Sequence, residues 1–389
     1  MKYKVTKLIH LAEYISRGIT PKYTEELSGM CVINQKCIRD YKLLLENSRL
    51  HDINKKKVTN EKIIKKYDVL INSTGVGTAG RVAQNFENKL FTADSHVTIV
   101  RPDTTKIDPI YFGYALKNQQ KYIEGLAEGS TGQTEISRQR IGEEILIKYP
   151  ANLKTQKKIS NILLNIDKKI ELNNKINDNL HKLCKNFYYE LIQDDSEKIS
   201  LAELMDYQGG SQPPAYEFQY ERTEYNVRFV QIRDFDTDSH ICYIPISKRN
   251  KLCEKDDILI ARYGASLGRI CYGIKGAYNV ALAKVLPKKD EYKELLRTIL
   301  EEKQFYEYIN SVGQRSAQAG FNAGDIQAFQ VRIPTSDDIK KYHKFALDCL
   351  KKRLAIMDEN NMLINLRDSL LPKLMNGEIN IEKIEINTL

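Results

Sequence analysis

The chain has 389 residues, 60 Lys+Arg against 51 Asp+Glu, a net charge of +9 and no tryptophan. That length makes about two or three domains at roughly 100–200 residues each, and 42% hydrophobic with 29% charged residues excludes wholesale disorder, which needs few apolar residues and a high net charge. No run nears the roughly 18 apolar residues of a membrane helix. The N-terminal MKYKVTKLIHLAEYISRG carries charge through its middle, so it does not read as a secretory signal and a cytoplasmic protein is expected.

In chain order, the first globular stretch mixes short β-type runs with turns. Val69–Ile71, Val97–Val100 and Ile145–Ile147 are read as strands. Asn54 to Lys66 holds six lysines against one glutamate; a solvated face is the simple reading and a phosphate-facing patch the functional one. Thr155 to Glu190 then has no Gly or Pro. Its apolar residues Ile159, Ile162, Ile166, Ile176, Leu180, Leu183 and Phe187 step by threes and fours, with Lys169 and Asn173 filling the gaps. That spacing describes a helix with a coiled-coil seam, about 54 Å long. After a second globular stretch, Leu347, Leu350, Leu354, Met357, Ile364 and Leu371 give a similar stripe, interrupted by Asn361 and Asp368. Pro372 is expected to end or kink that helix near its last turn.

The chain repeats itself at a period near 190 residues. Asp68 to Val82 (DVLINSTGVGTAGRV) matches Asp257 to Ile270 (DILIARYGASLGRI): an acid, an apolar run, a glycine-rich turn, then Gly-Arg. Gly18-Ile-Thr-Pro21 and Gly210-Ser-Gln-Pro213 precede the two copies. Segments from Gly129 and Gly313, then Ile145–Pro150 and Phe329–Pro334, follow them. The fold class is therefore α/β in the mixed α+β sense: two pseudo-repeated globules and two long helices. Neither helix has a partner helix within its own repeat, so antiparallel pairing of the two is expected, the alternative being that each packs on its own globule. Polar residues in the seam would fix its register.

Several chemistry-like motifs fail on inspection. Gly75 to Gly80 has P-loop spacing, but Arg81 and Val82 stand where Lys and Ser/Thr would be needed. Gln212-Pro-Pro-Ala-Tyr216 is a poor version of a methyltransferase base-holding tetrapeptide, and no F-x-G-x-G loop accompanies it. Asp195-Ser-Glu197-Lys198 reads as a linker rather than a nuclease fragment. The seven cysteines, Cys31, Cys37, Cys184, Cys242, Cys253, Cys271 and Cys349, form no C-x-x-C pair, so no metal site is expected and free thiols are.

The remaining signal is recognition. Arg and Lys bond guanine, and Asn and Gln bond adenine, in the major groove of DNA. Candidate DNA-binding residues of the first repeat are Lys22, Gln35, Lys36, Arg39, Ser73, Thr74, Arg81, Thr131 and Gln133. Those of the second are Gln212, Gln231, Arg233, Arg262, Tyr263, Ser266, Arg269, Arg315 and Gln318. No catalytic residue is assigned.

These motifs together resemble the DNA specificity subunit of type I restriction–modification systems, over essentially the whole chain. The resemblance is carried by Arg17–Tyr23 (RGITPKY), Val32–Arg39 (VINQKCIR), Leu70–Ala83, Gly209–Pro214 (GGSQPP), Val230–Asp234 and the closing Leu370–Ile379 (LLPKLMNGEI). It implies two target-recognition domains, residues 1–152 and 195–335, each reading one part of a bipartite asymmetric site in double-stranded DNA. It also implies two conserved helical regions, 153–194 and 336–380, forming an antiparallel coiled coil that sets the gap, before a tail at 381–389. Such a subunit is not an enzyme by itself. It docks two modification subunits that bind S-adenosylmethionine and methylate adenine, and it joins restriction subunits that use ATP and Mg. Exposed Lys168-Lys169 and Lys351-Lys352-Arg353 would face those partners or DNA phosphates. The other readings are a P-loop-like nucleotide-binding protein and a stand-alone scaffold.

Overall fold

A computed structural model describes residues 2–128, 134–193, 195–313 and 320–381. The chain divides into two compact units, residues 1–170 with 363–389, and residues 171–362. Both are mixed α+β.

The first unit is built on a four-stranded antiparallel sheet in the order Val82–Gln84, Val69–Asn72, Val97–Pro102, Ala12–Arg17. A second sheet runs Tyr23–Thr24, Arg49–His51, Met30–Ile33, Phe91–Ala93, Ile63–Ile64. Its Met30–Ile33 and Phe91–Ala93 strands are parallel. Tyr3–Lys7 pairs with Leu146–Pro150 as a separate antiparallel ribbon.

The second unit has a four-stranded antiparallel sheet in the order Ile270–Cys271, Leu259–Ala261, Leu282–Pro287, Met205–Gly209. Its other sheet runs Cys242–Pro245, Asn226–Val230, Gly276–Tyr278, Leu252–Cys253, with the middle two strands parallel. Lys198–Ser200 pairs with Gln330–Arg332. Strand order and sense thus recur, apart from the extra Tyr23–Thr24 strand and the Ile38–Arg39/Lys42–Leu43 ribbon of the first unit.

The residues shared by the two sequence copies are those the backbone requires. A Cβ on Gly18 would lie 2.0 Å from the Ala93 carbonyl oxygen, and one on Gly210 2.1 Å from that of Asn279. Only glycine lets the chain cross there. The acid that opens each motif caps the turn before it. Asp68 accepts the Lys65 N–H at 2.8 Å, and Asp257 accepts the Glu254 N–H at 2.9 Å. Asp68 also chelates the buried Arg101 guanidinium at 2.9 and 2.8 Å. Burial pushes its carboxyl above the ordinary value even so.

Two long helices, Leu153–Leu191 and Ser336–Asn376, complete both cores. Asn152 caps the first by accepting the Lys154 N–H at 2.8 Å. Thr335 and Asp338 bond each other at the start of the second. Pro372 does not end the second helix, which continues to Asn376. Gly377, at φ +74°, stops it, with the Glu378 N–H bonded to the Lys373 carbonyl as in a Schellman cap.

In the first unit, Ile159 and Leu163 share a core with Leu371, Leu374 and Met375. Asp167 bridges the helices by accepting from Arg367 at 2.8 Å and from the Tyr114 hydroxyl at 2.6 Å. In the second unit, Cys184 and Tyr188 pack with Tyr342, Ala346 and Cys349. The Phe187 ring lies 4.9 Å from that of Phe345. Buried Asn173 donates to Glu359 at 2.8 Å and to Asn360 at 2.9 Å, and Asn360 donates back to Asn174 at 2.9 Å.

The expected seam needs correction in register. Ile159, Leu350 and Leu371 are buried, and Ile162, Ile166, Ile176, Leu180, Phe187, Leu354, Met357 and Ile364 are partly so. Leu183, however, is half exposed, and Cys184 is buried in its place. On the second helix the seam asparagine is Asn360, while Asn361 and Asp368 are exposed. A helix of 3.6 residues per turn drifts about 20° per heptad from a strict 3.5 repeat, which carries the buried stripe of the first helix on from Leu183 to Cys184; on the second helix the buried asparagine lies one residue before the one read from the spacing, while Leu350 and Leu371 are buried as expected. Arg353 is not an outward residue either: its guanidinium lies 5.3 Å from the Tyr272 ring centre and 4.0 Å from Glu301. Lys168, Lys169, Lys351 and Lys352 are exposed.

Two outcomes follow for stability. Replacing Asn173 by Leu removes the donor to the side-chain oxygen of buried Asn360, and should cost about 1–3 kcal/mol in chemical denaturation. The double change Asn173→Leu/Asn360→Leu should recover most of that. Lys117, beside Asp167 and nearly buried, is pushed down to about 8 by desolvation, which outweighs the attraction of Asp167. Between that value and its unfolded value of 10.5, the unfolded chain binds the extra proton, so folding gains stability as pH rises. Wild type should therefore gain on Lys117→Met between about pH 8 and 10.5, by on the order of 3 kcal/mol. A pH-independent difference between the two would contradict this.

Candidate nucleic-acid interface

Each glycine-rich turn joins two antiparallel strands. The Gly80 N–H donates to Asn72 and the Asn72 N–H to Arg81, at 2.8 and 2.9 Å. In the second unit the Gly268 N–H donates to Ala261 and the Ala261 N–H to Arg269, both at 2.9 Å. Gly75, Gly77 and Gly80 have φ of +109°, +68° and +89°, and Gly264 and Gly268 have +71° and +81°. The next element after Gly80 is the strand Val82–Gln84, not a helix. A P-loop needs a helix N-terminus there to hold phosphate, so the nucleotide-binding alternative loses its structural basis.

The two Gly-Arg pairs are used internally. Arg81 folds back onto the Gly77 carbonyl at 2.9 Å. Arg269 is held by both oxygens of Asp236, each at 2.8 Å. The hydrogen bond to Asp236 raises the Arg269 pKa above the usual value despite partial burial.

The first turn forms one wall of a cleft of about 600 Å³ whose lining includes Arg39, Asp40, Arg81, Gln120, Glu124 and Thr134. Arg39 is largely exposed, 3.8 Å from Asp40. At the start of the turn, the Gln35 amide donates to the Thr74 carbonyl at 2.7 Å and also contacts the Thr74 hydroxyl. That hydroxyl meets His96 Nδ1 at 2.8 Å. His96 is exposed and was not singled out by sequence. Its available signal was the Asp94-Ser-His96 turn, in which Asp94 accepts the His96 N–H at 2.9 Å.

Other candidates scatter. Lys22 and Lys36 are exposed. Ser73 is fully buried and bonded to Thr98, which corrects its assignment as a DNA contact: it follows the strand Val69–Asn72 on the face that the core covers. Within the lysine run, Lys56 and Lys62 serve structure, bonding the Thr20 carbonyl at 2.9 Å and the Ser16 hydroxyl at 2.7 Å. Lys57, Lys65 and Lys66 stay exposed.

In the second unit Gln231 turns inward, its amide 3.4 Å from the Cys242 sulfur. Arg233 and Gln212 are exposed and Ser266 is half-buried. Arg262 lies between aromatic rings, its guanidinium carbon 5.0 Å from the Tyr263 ring centre and 6.0 Å from that of Tyr207. Its Nε is buried without a hydrogen-bond partner. Tyr263 is partly exposed. Thr131, Gln133, Arg315 and Gln318 lie outside the described residues.

Among the described residues, no group of three or more His, Cys, Asp or Glu is placed to hold a metal ion. Burial raises the thiols of Cys37 and Cys253 to about 11 and those of Cys184 and Cys271 to about 12, so they stay protonated and poorly nucleophilic. No helix among the described residues is long and apolar enough to cross a membrane. Exposed basic and amide side chains beside tight turns can bond phosphates and base edges; they do not compose a catalytic constellation.

Comparison with known proteins points the same way. The family model for the type I restriction modification DNA specificity domain matches residues 24–182. The specificity subunit of the MjaIX type I restriction enzyme from Methanocaldococcus jannaschii is 23% identical over 340 residues, 77% of this chain and 75% of that protein. A putative type I specificity subunit from Mycoplasma genitalium is 29% identical over 213 residues, 50% of this chain and 51% of that one. The crystal structure of a type I restriction–modification S subunit from M. genitalium has the same fold, with a TM-score of 0.60 at 20% identity and 96% of each chain covered.

The turn geometry yields a stability test. Gly77→Ala places a methyl in open space and pays only for its positive φ, roughly 1–2 kcal/mol. Gly80→Ala adds a Cβ 2.5 Å from the Glu124 backbone. Thermal melts should show the Gly80 variant clearly less stable than the Gly77 variant; equal melting would refute the packing assigned to this turn.

Proposed function

We propose, for a chain that belongs to the specificity subunits of type I restriction–modification systems, that each compact unit reads one part of a bipartite, asymmetric DNA site. The protein supplies the sequence-reading function of such a system. The observation that carries the two-reader proposal is the recurrence of one sheet order and one set of turn hydrogen bonds in both units, with different side chains on the turns. Like frames with unlike side chains suit two readings of two unlike half-sites.

The long helices take the role of spacer, as an antiparallel coiled coil. Pairing of Asp167 with Arg367 and of Asn173 with Asn360 supports this, because the second partner falls as the first rises in number. At 1.5 Å per residue, helices of 39 and 41 residues are about 60 Å long. Half-sites a helical turn apart on one face of DNA are about 34 Å from centre to centre, within such a reach. Phosphate contacts from exposed Arg and Lys give salt-sensitive grip, and polar contacts to base edges give sequence.

On this reading the chain is non-catalytic by itself and works in the cytoplasm. Two modification subunits dock on it and carry S-adenosylmethionine for adenine methylation. Restriction subunits bring ATP and Mg.

The test is methylation mapping in cells that carry a matching modification subunit. Deleting this chain should abolish methyladenine at one bipartite motif. Exchanging residues 1–152 for those of another family member should change one half of the motif only. A motif that survives deletion, or an exchange that alters both halves, would overturn the proposal.

A further inference from the structure

The two units place their guanidinium groups differently on the same sheet face. In the first unit Thr98 faces Arg17 on one side and Ile71 on the other. Ser73, two residues beyond Ile71, turns to the same face and bonds Thr98. Arg17 is neutralised there: it donates to Glu135 at 2.6 Å and to the Ile136 carbonyl at 3.2 Å.

In the second unit Ala283 faces Gly209 and Ile260 in the same register. Gly209 therefore stands where Arg17 stood, Ala283 where Thr98 stood, and Arg262 where Ser73 stood. The backbone bond made by the Ser73 N–H to His96 has its counterpart from the Arg262 N–H to Ala281. The guanidinium has moved from one strand to its neighbour but one. Two small residues make room for it, since a Cβ on Gly209 would come 3.0 Å from Arg262 Nη1.

The acid did not move with it. Beside Arg262 the chain carries Gly320, whose added Cβ would lie 3.1 Å from the Arg262 carbonyl oxygen, in the place where the first unit has Glu135 against its own arginine. Among the described residues Arg262 has no ion pair, and its Nε has no acceptor. Tyr207 and Tyr263 flank the group and limit its freedom. A planar fork that is held in place and lacks an acceptor is suited to a paired acceptor on a ligand.

Resting on the two-reader proposal, we infer that Arg262 is a DNA-contacting residue of the second unit, donating to a guanine edge or to a phosphate. The first unit does not use the corresponding position, because Ser73 is sealed under Thr98. The two half-sites are therefore contacted with different chemistry at equivalent points of the two frames.

The test uses the chain assembled with its modification subunits, with Arg262→Ala and Arg262→Lys compared with wild type. Readouts are the methylated motif, affinity for DNA carrying it at several salt concentrations, and the melting temperature as a check on folding. A guanine contact predicts relaxed preference at one base pair, by about 5- to 150-fold, in the half not altered by exchange of residues 1–152, with no rescue by Lys. A phosphate contact predicts an unchanged motif, weaker binding to all sequences, a salt slope lower by about one in Arg262→Ala and partial rescue by Lys. Either result supports the inference. A well-folded Arg262→Ala complex with unchanged motif, affinity and salt slope overturns it while leaving the two-reader proposal intact. A wild-type complex that methylates no bipartite motif overturns both.

Discussion

Each long helix carries an apolar stripe that has to be covered, and the rest of the structure is arranged around that requirement. Ile159 and Leu163 complete a core with Leu371 and Leu374 in one unit, and Cys184 and Tyr188 do so with Tyr342 and Cys349 in the other. Apolar burial drives this packing and is indifferent to register. Register comes from the polar members. Buried Asn173 donates to buried Asn360 only when the two are opposite, and Asp167 meets Arg367 only at one alignment. A slip would leave buried polar groups without partners, which costs more than the bonds gain.

The two globular frames build one architecture and dress it with unlike side chains. Their shared residues answer backbone needs: Gly18 and Gly210 at close crossings, Asp68 and Asp257 capping turns, and glycines at positive φ in the hairpins. Their differences lie in side chains that shape no backbone. Gln35, Thr74 and His96 form a hydrogen-bonded cluster in one unit, and Arg262 between two tyrosines occupies the related rim of the other.

That division also explains what was legible in the sequence. The repeat, the strands around Val69 and Leu259, and both helices were readable because glycine, acid and apolar periodicity mark local requirements. The buried face of each helix was less legible: the spacing chose Leu183 and Asn361, whereas Cys184 and Asn360 are buried. The candidate contacts were the least legible. Nothing local reveals that Arg269 will find Asp236, 33 residues away, or that Ser73 will lie against Thr98, 25 residues away. Such pairings are made by the sheet, and they decide which polar side chains are left for DNA.

Two separate readers on one DNA site would leave two separate footprints. Hydroxyl-radical footprinting of duplex carrying the methylated motif, with the chain and its modification subunits assembled on it, tests this most directly. Protection is expected on both half-sites, with the half-site read by each unit losing protection selectively when that unit's exposed basic residues are replaced. Protection confined to one half-site, or lost equally from both when only one unit is altered, would contradict it.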